Sequence, residues 1–315
     1  MYYSICHKTR FRYSASISES VMEVRMQPRT EGPQRMLNFR LTATPRTQVI
    51  SYRDALGNTV HHFDIPGNHR QLTIMAEALV DINPPVALPA ALSPEAWNEL
   101  DTLTATDVYW DMLTPSHFVR PGELLAQLAR DLEIRRQDDP LTTLHSINSA
   151  IFNYFDYTPQ STRVDSPIEE ALTSRRGVCQ DFAHIMIALV RELHIPCRYV
   201  SGYLFHRSGV HDRSAEDATH AWVEALLPGF GWVGFDPTNN LIVADRHIRV
   251  AVGRDYADVP PTHGIFKGNV VTELFVGVNV SPTEEPPEEA VLTPMAKWGV
   301  SEEADEHPQQ YPQQQ

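Results

Sequence analysis

Over much of the first 82 residues, apolar and polar positions alternate with a period of two. Met22/Val24/Met26, Leu37/Phe39/Leu41 and Leu72/Ile74/Ala76 each enclose polar neighbours, the pattern of strands that bury one face. Gly57-Asn58 falls between Val49-Ile50-Ser51-Tyr52 and Val60-His61-His62-Phe63, which predicts a hairpin turn. Strands separated by turn residues predict a small β-sandwich over 1–82. The pattern then breaks into prolines at 84, 85, 89 and 94, which reads as a linker. Beyond it the period lengthens. Leu124, Leu125, Leu128 and Leu132 share one helical stripe, and Leu144, Ile147, Ile151 and Phe155 repeat it from Pro140 onward. A third helix is predicted over about 178–194, with Phe182, Ile185, Met186, Leu189, Val190 and Leu193 inward, stopping before Pro196. Strands are predicted at 197–205, 219–226, 231–235 and 270–280. After about Ser281 the chain is rich in Pro, Glu and Gln, a composition that does not sustain a core and predicts disorder. The expected divisions are a β-sandwich at 1–82, a linker and helical segment at 83–139, an α+β core at 140–280 and an acidic tail at 281–315.

Composition narrows the partners. With 315 residues, 42% hydrophobic and 21% charged, the chain has ordinary globular proportions and room for two domains. The net charge is −14, and the stretch 281–315 holds eight acidic residues against Lys297 alone. Neither a basic run nor interleaved aromatic and basic residues is present, so no nucleic acid is expected as a partner. No apolar run approaches the roughly 18–20 residues of a membrane span, and no membrane partner is expected. The first ten residues lack the apolar stretch of a secretory signal. Three cysteines, Cys6, Cys179 and Cys197, cannot all pair, and reduced thiols in a cytoplasmic setting are the expectation.

One of these thiols is placed for chemistry. Cys179 follows Gly177-Val178 and opens the third predicted helix, where the helix dipole and unpaired N–H groups favour a thiolate. The same N–H groups can hold the oxyanion formed when a thiolate attacks a carbonyl. His220 begins one predicted strand and Asp236 ends the next, with Leu227-Pro228-Gly229-Phe230 as a turn between them. A hairpin centred on Pro228 sets His220 directly opposite Asp236, on one face, with Cβ atoms roughly 4.5–5.5 Å apart. A carboxylate there holds the imidazole tautomer and steadies the imidazolium. Each residue alone has a plainer reading: a buried small hydrophobe, a surface strand histidine, a turn-starting aspartate. Cysteine, histidine and aspartate in this order and layout favour the catalytic one.

These stretches resemble the bacterial transglutaminase-like superfamily. The resemblance is carried by Arg176-Gly177-Val178-Cys179-Gln180-Asp181-Phe182-Ala183-His184, by Ile195-Pro196-Cys197-Arg198-Tyr199-Val200-Ser201-Gly202-Tyr203, and by His220-Ala221-Trp222-Val223-Glu224 with Gly231-Trp232-Val233-Gly234-Phe235-Asp236-Pro237-Thr238. It covers roughly 140–240. The first 82 residues look like the β domain that accompanies this core, and the stretch 253–261 is similar to the segment that completes such proteins. The resemblance implies Cys179 as nucleophile, His220 as general base and acid, and Asp236 as the group orienting the histidine. It also implies a papain-like α+β core, helices packed on an antiparallel sheet. The implied enzyme is a transglutaminase-like cysteine protease or amidase, acting on peptide, protein or small amide substrates through a thioester, with no cofactor and no metal. Hydrolysis is favoured over transamidation, since water is always present while transfer needs a site that excludes it. The alternative from another class is a catalytically idle binding or assembly module on the same fold.

Other placements of the same residues fit less well. A zinc site from Cys179, His184, His194 and Cys197 lacks the close ligand pairs of such sites, and His184 stands about 140° around the helix from Cys179. No loop has the acidic spacing of a calcium site. Asp181 reads as a helix-dipole acid, Cys197 as core, and Trp222 and Trp232 as packing first and substrate wall second. Tyr157 is open between an aromatic core residue and an oxyanion donor. The sequence leaves the substrate and the oligomeric state undetermined.

Overall fold

The structure, a computed structural model, describes residues 1–207 and 209–284. In chain order the strands and helices begin with β1 (Tyr2–Val24), β2 (Gln34–Thr44), β3 (Ile50–Arg53) and β4 (Thr59–Ile82). There follow α1 (Ala96–Thr104), α2 (Trp110–Leu113), α3 (Glu123–Asp131), α4 (Pro140–Tyr154), β5 (Asp156–Tyr157), α5 (Ile168–Ser174), β6 (Arg176–Gly177) and α6 (Cys179–Glu192). The last are β7 (Cys197–Leu204), β8 (His220–Leu227), β9 (Gly231–Asp236), β10 (Leu241–Ile242), β11 (His247–Gly253), β12 (Thr262–Lys267) and β13 (Thr272–Thr283). No helix among the described residues is long and apolar enough to cross a membrane.

Two long antiparallel strands organise the N-terminal region. β1 and β4 pair from Tyr2↔Asp81 to Val24↔His61, with register shifts between Arg12 and Glu19 that bend the ribbon. β2 and β3 extend β4, and the Gly57-Asn58 hairpin forms as expected, joining β3 to β4. The alternation at Met22, Val24, Met26, Leu72, Ile74 and Ala76 points inward into one cluster with Ile17 and Phe63. Leu37 does not follow it: a register shift between Met36 and Asn38 turns that side chain to solvent, 37% exposed.

The other edge of β1 is closed from the far end of the chain. β13 pairs with its first half and β12 with its second, giving a six-stranded sheet. Residues 262–283 therefore belong to this sheet and not to the core expected at 140–280, and the strand expected at 270–280 is β13. An alternating pattern reports that a strand has one buried face, but not which edge it joins. The tail expected from Ser281 begins later, since Ser281–Thr283 still pair with β1; its remainder lies outside the described residues.

The second body is a five-stranded antiparallel sheet in the order β10-β9-β8-β7-β11. α6 packs across β7 and β8 and is covered by α3, α4 and α5, so every residue from Gln180 to Arg191 is buried. Five of the six predicted inward positions are fully buried; Leu193 caps the helix end, half-buried. In α3, Leu125 and Leu128 face the core, while Leu124 stands 45% exposed.

The two sheets are joined through side-chain amides. β11 is an edge strand, and Gln34 and Asn58 from the N-terminal sheet bond its free backbone. Gln34 accepts from the Arg249 N–H and donates to the Arg249 carbonyl, each at 2.8 Å; Asn58 does the same at Val252, also at 2.8 Å. Each amide thus mimics a strand neighbour and removes an open edge. Asn58→Ala leaves a buried N–H and C=O unpaired, at a cost of about 3 kcal/mol. Urea denaturation should show the midpoint lowered by a corresponding amount at unchanged slope.

Candidate active site

Cys179 stands at the first position of α6, half-buried. The backbone before it has no slack. A Cβ at Gly177 would lie 2.9 Å from the Asp181 Cβ and 3.1 Å from the Phe182 ring, so only glycine fits. Asp181, three residues into the turn, reaches back to accept from the Val178 N–H at 2.8 Å and from the Thr162 hydroxyl at 2.6 Å, half of a capping box. Gly177 also pairs in parallel with Tyr157. That places Tyr157 beside the cysteine: burial and the Cys179 charge push its hydroxyl up to about 12, so it stays protonated and able to donate.

The histidine and aspartate meet at the end of the core sheet, but not in the register expected. The β8–β9 pairs run Val223↔Phe235 to Leu227↔Gly231, centring the hairpin on Gly229, which takes a positive φ of 77°. Pairing is displaced by two residues, which preserves the face. Asp236 therefore sits one step diagonal to His220, and the longer histidine side chain spans the offset: its Nε2 lies 2.8 Å from Asp236 Oδ2.

Asp236 is saturated with donors. Its Oδ1 accepts from the backbone N–H of Thr238 at 3.0 Å and of Asn239 at 3.2 Å. Its Oδ2 accepts from His220, from Asn239 Nδ2 at 2.8 Å and from His247 Nε2 at 3.2 Å. Burial opposes its ionisation, yet the two histidines hold the carboxyl far below the usual range. Burial likewise works against the charged His220 ring, but the Asp236 carboxylate and then Cys179 raise it to about 10. His220 Nδ1 is buried without a hydrogen-bond partner among the described residues, which leaves that nitrogen for the thiol and the reacting atoms.

Asn239 and His247 were not singled out from the sequence. Asn239 follows Asp236-Pro237-Thr238 in a tight turn, where a side-chain amide near the carboxylate was a readable signal. His247 lies on β11, which carried no predicted strand, so nothing in the sequence linked it to Asp236. His220, Asp236 and His247 bring three potential metal-ligating atoms within 4.8 Å of one another. They are already bonded to each other, and a cation between them would have to replace both histidine–carboxylate bonds.

The remaining sequence candidates fall elsewhere. His184 stacks on Phe118 with ring centroids 5.2 Å apart and accepts from the Tyr256 N–H at 3.1 Å; it is a packing residue. Cys197 is fully buried, and burial pushes its thiol up to about 11. Trp222 is buried, with its ring centroid 6.0 Å from that of His220. Trp232 is half-buried and stacks beneath the Arg198 guanidinium, 4.5 Å from its ring centroid.

The comparisons agree with this architecture. Residues 126–237 match the transglutaminase-like superfamily and residues 3–81 the bacterial transglutaminase-like N-terminal region. An uncharacterized protein of Mycobacterium leprae is 32% identical over 278 residues, covering 88% of this chain and 97% of that protein. A protein-glutamine gamma-glutamyltransferase of Pseudomonas aeruginosa is 34% identical over 127 residues, covering 39% of this chain and 19% of that protein. A crystal structure from Cytophaga hutchinsonii, provisionally assigned as a cysteine protease, superposes with a TM-score of 0.69 at 22% identity, covering 91% of this chain and 93% of that one. At that identity the likeness speaks for the fold alone. With its core and its N-terminal region both matched in order, the chain belongs to the transglutaminase-like superfamily.

Proposed function

We propose that the protein is a cysteine-nucleophile enzyme that opens amide bonds through a thioester, with hydrolysis favoured over transamidation. The observation that carries this reading is the buried His220–Asp236 pair at 2.8 Å, whose imidazolium is stabilised further by Cys179. The Cys179 sulfur, as thiolate, adds to the carbonyl carbon of a peptide, protein or small amide substrate. The oxyanion that forms is met by N–H groups at the start of α6 and by the Tyr157 hydroxyl. His220 gives its Nδ1 proton to the departing nitrogen, the carbon–nitrogen bond breaks, and an amine or ammonia leaves. Water then enters, His220 takes its proton, and hydroxide oxygen replaces sulfur on the carbonyl, releasing the acid and the thiolate. Transfer follows the same steps with an amine in place of water. A reducing compartment keeps Cys179 available as a thiol.

The test uses p-nitrophenyl acetate, whose leaving group needs little help. The expected result is a burst of nitrophenolate and an acetyl adduct localised to Cys179 by intact-mass and peptide spectrometry, absent in Cys179→Ala. Equal, slow acetylation of Cys179 and the exposed Cys6 would instead fit the idle module. Fractions of a cell extract screened for other adducts on Cys179 then identify the natural acyl group.

A further inference from the structure

We propose that His247 is a positioning residue for the triad: a second histidine that shares Asp236 with His220 and fixes where the carboxylate points. The inference rests on the reading of Cys179, His220 and Asp236 given above. His247 is the first residue of β11, paired with Leu204, and its side chain is 1% exposed. Its Nε2 lies 3.2 Å from Asp236 Oδ2, while its Nδ1 is buried without a partner among the described residues. The hydrogen bond to Asp236 therefore sets the tautomer, with the proton on Nε2 and Nδ1 bare.

A histidine chosen for packing alone would be a costly choice here. It leaves one ring nitrogen unsatisfied in the interior, and an apolar side chain of similar size would avoid that penalty. What the ring supplies in return is a donor at the triad's carboxylate. Two backbone N–H groups grip Oδ1 and Asn239 grips both oxygens. His247 adds the donor that keeps Oδ2 from swinging after His220 as that ring moves between sulfur and leaving group. Trp222 buttresses the arrangement, lying edge-on to His247 at 5.2 Å and tilted against His220 at 6.0 Å between ring centroids. Sharing one oxygen also divides its negative charge between two rings, which moderates the hold of Asp236 on the His220 proton.

The groups acting on His247 are Asp236 on β9, His220 on β8 and Arg246 beside it in the chain. Burial, together with the two cations, keeps the ring neutral against the pull of Asp236, so it works as a hydrogen-bond donor and not as a second charge. Its strand is held on one side by β7 and on the other by Gln34 and Asn58. The N-terminal sheet thus fixes the strand that carries His247, and through it touches the catalytic geometry.

The test compares His247→Leu, which removes the donor, with His247→Gln, which keeps one without a ring. The readouts are kcat and KM on p-nitrophenyl acetate and the titration and tautomer of His220 in protein labelled with nitrogen-15 at histidine. His247→Leu should lower kcat about 10–100-fold, by analogy with the loss seen when outer hydrogen-bond partners of metal-ligating histidines are removed, with KM little changed and the His220 midpoint displaced. His247→Gln should recover most of the rate and return the midpoint. A Leu variant with wild-type kcat and an unmoved His220 overturns the proposal, as does a Gln variant as impaired as Leu, which would make ring shape the cause. Should the wild-type Cys179 show no enhanced reactivity, the proposed activity fails; the His220 titration in the Leu variant, against wild type, still decides the role of His247.

Discussion

Asp236→Asn should lower kcat for the acylation step by about ten-thousandfold, the loss seen when the orienting carboxylate of a triad becomes an amide. The structure gives the reason in donors and acceptors. Five N–H groups converge on this carboxylate, two at Oδ1 and three at Oδ2. An amide has one accepting oxygen and one donating nitrogen. With its nitrogen at the Oδ2 position, it meets the donors of His220, Asn239 and His247 head-on, and His220 is driven to the wrong tautomer. With its nitrogen at the Oδ1 position, it meets the Thr238 and Asn239 backbone. Either choice also leaves buried donors unsatisfied, at about 1–3 kcal/mol each, so the thermal midpoint should fall along with the rate. KM for a small ester should change little, because Asp236 touches His220 and not substrate. A variant that kept even a tenth of the wild-type kcat would show that His220 works without its carboxylate.

Much of this site was legible before the fold, and what escaped did so for identifiable reasons. The start of α6 was readable because three local signals coincide there: Gly177 before the turn, Cys179 at its head, and an apolar repeat that ends at Pro196. The His220–Asp236 relation was readable because both lie on one hairpin, where distance along the chain translates into distance in space. Its register was misjudged by two residues, since the sequence Leu227-Pro228-Gly229-Phe230 does not say which of its residues sits at the apex; the positive φ at Gly229 decides it. The face survived because the error was even.

Long-range pairing was beyond this kind of reading. Nothing in Thr272–Thr283 tells that it lies beside Tyr2–Tyr13, where even the nearest pair, Tyr13 and Thr272, is 259 positions apart along the chain, since backbone ladders are indifferent to side-chain identity. His247 was missed on the same ground. Its strand fills the edge beside β7, and its bond to Asp236 exists only once β7, β8, β9 and β11 have assembled into one sheet. Gln34 and Asn58 are the clearest lesson: polar residues near turns read as surface, yet both are fully buried because their amides stand in for the missing strand next to β11.

The pH dependence of Cys179 alkylation separates an ion pair from a mere neighbourhood. His220 has an ordinary value of 6.5 and is raised to about 10 in the fold, where burial is outweighed by Asp236 and Cys179. Below 6.5 the ring is protonated folded or unfolded, and the stabilising interaction is fully present; it is lost as the pH rises through about 10. Asp236 runs the other way, being depressed below its ordinary value of 3.8, so its contribution is present above that value and fails only in stronger acid. At pH 6 both are in place, and a cation stands ready to stabilise the Cys179 thiolate. An ordinary thiol of pKa about 8.5 is ionised to only about one part in 300 at pH 6. Iodoacetamide should therefore alkylate Cys179 at pH 6 about a hundredfold faster in the wild type than in His220→Ala, where the cation is gone and Asp236 keeps only its neutral donors. As the pH approaches 10 the two rates should converge, because His220 sheds its proton and any exposed thiol ionises unaided. A rate ratio that stays constant from pH 6 to 10 would mean that the imidazole is not the partner of the sulfur, and the acyl-transfer reading would lose its foundation.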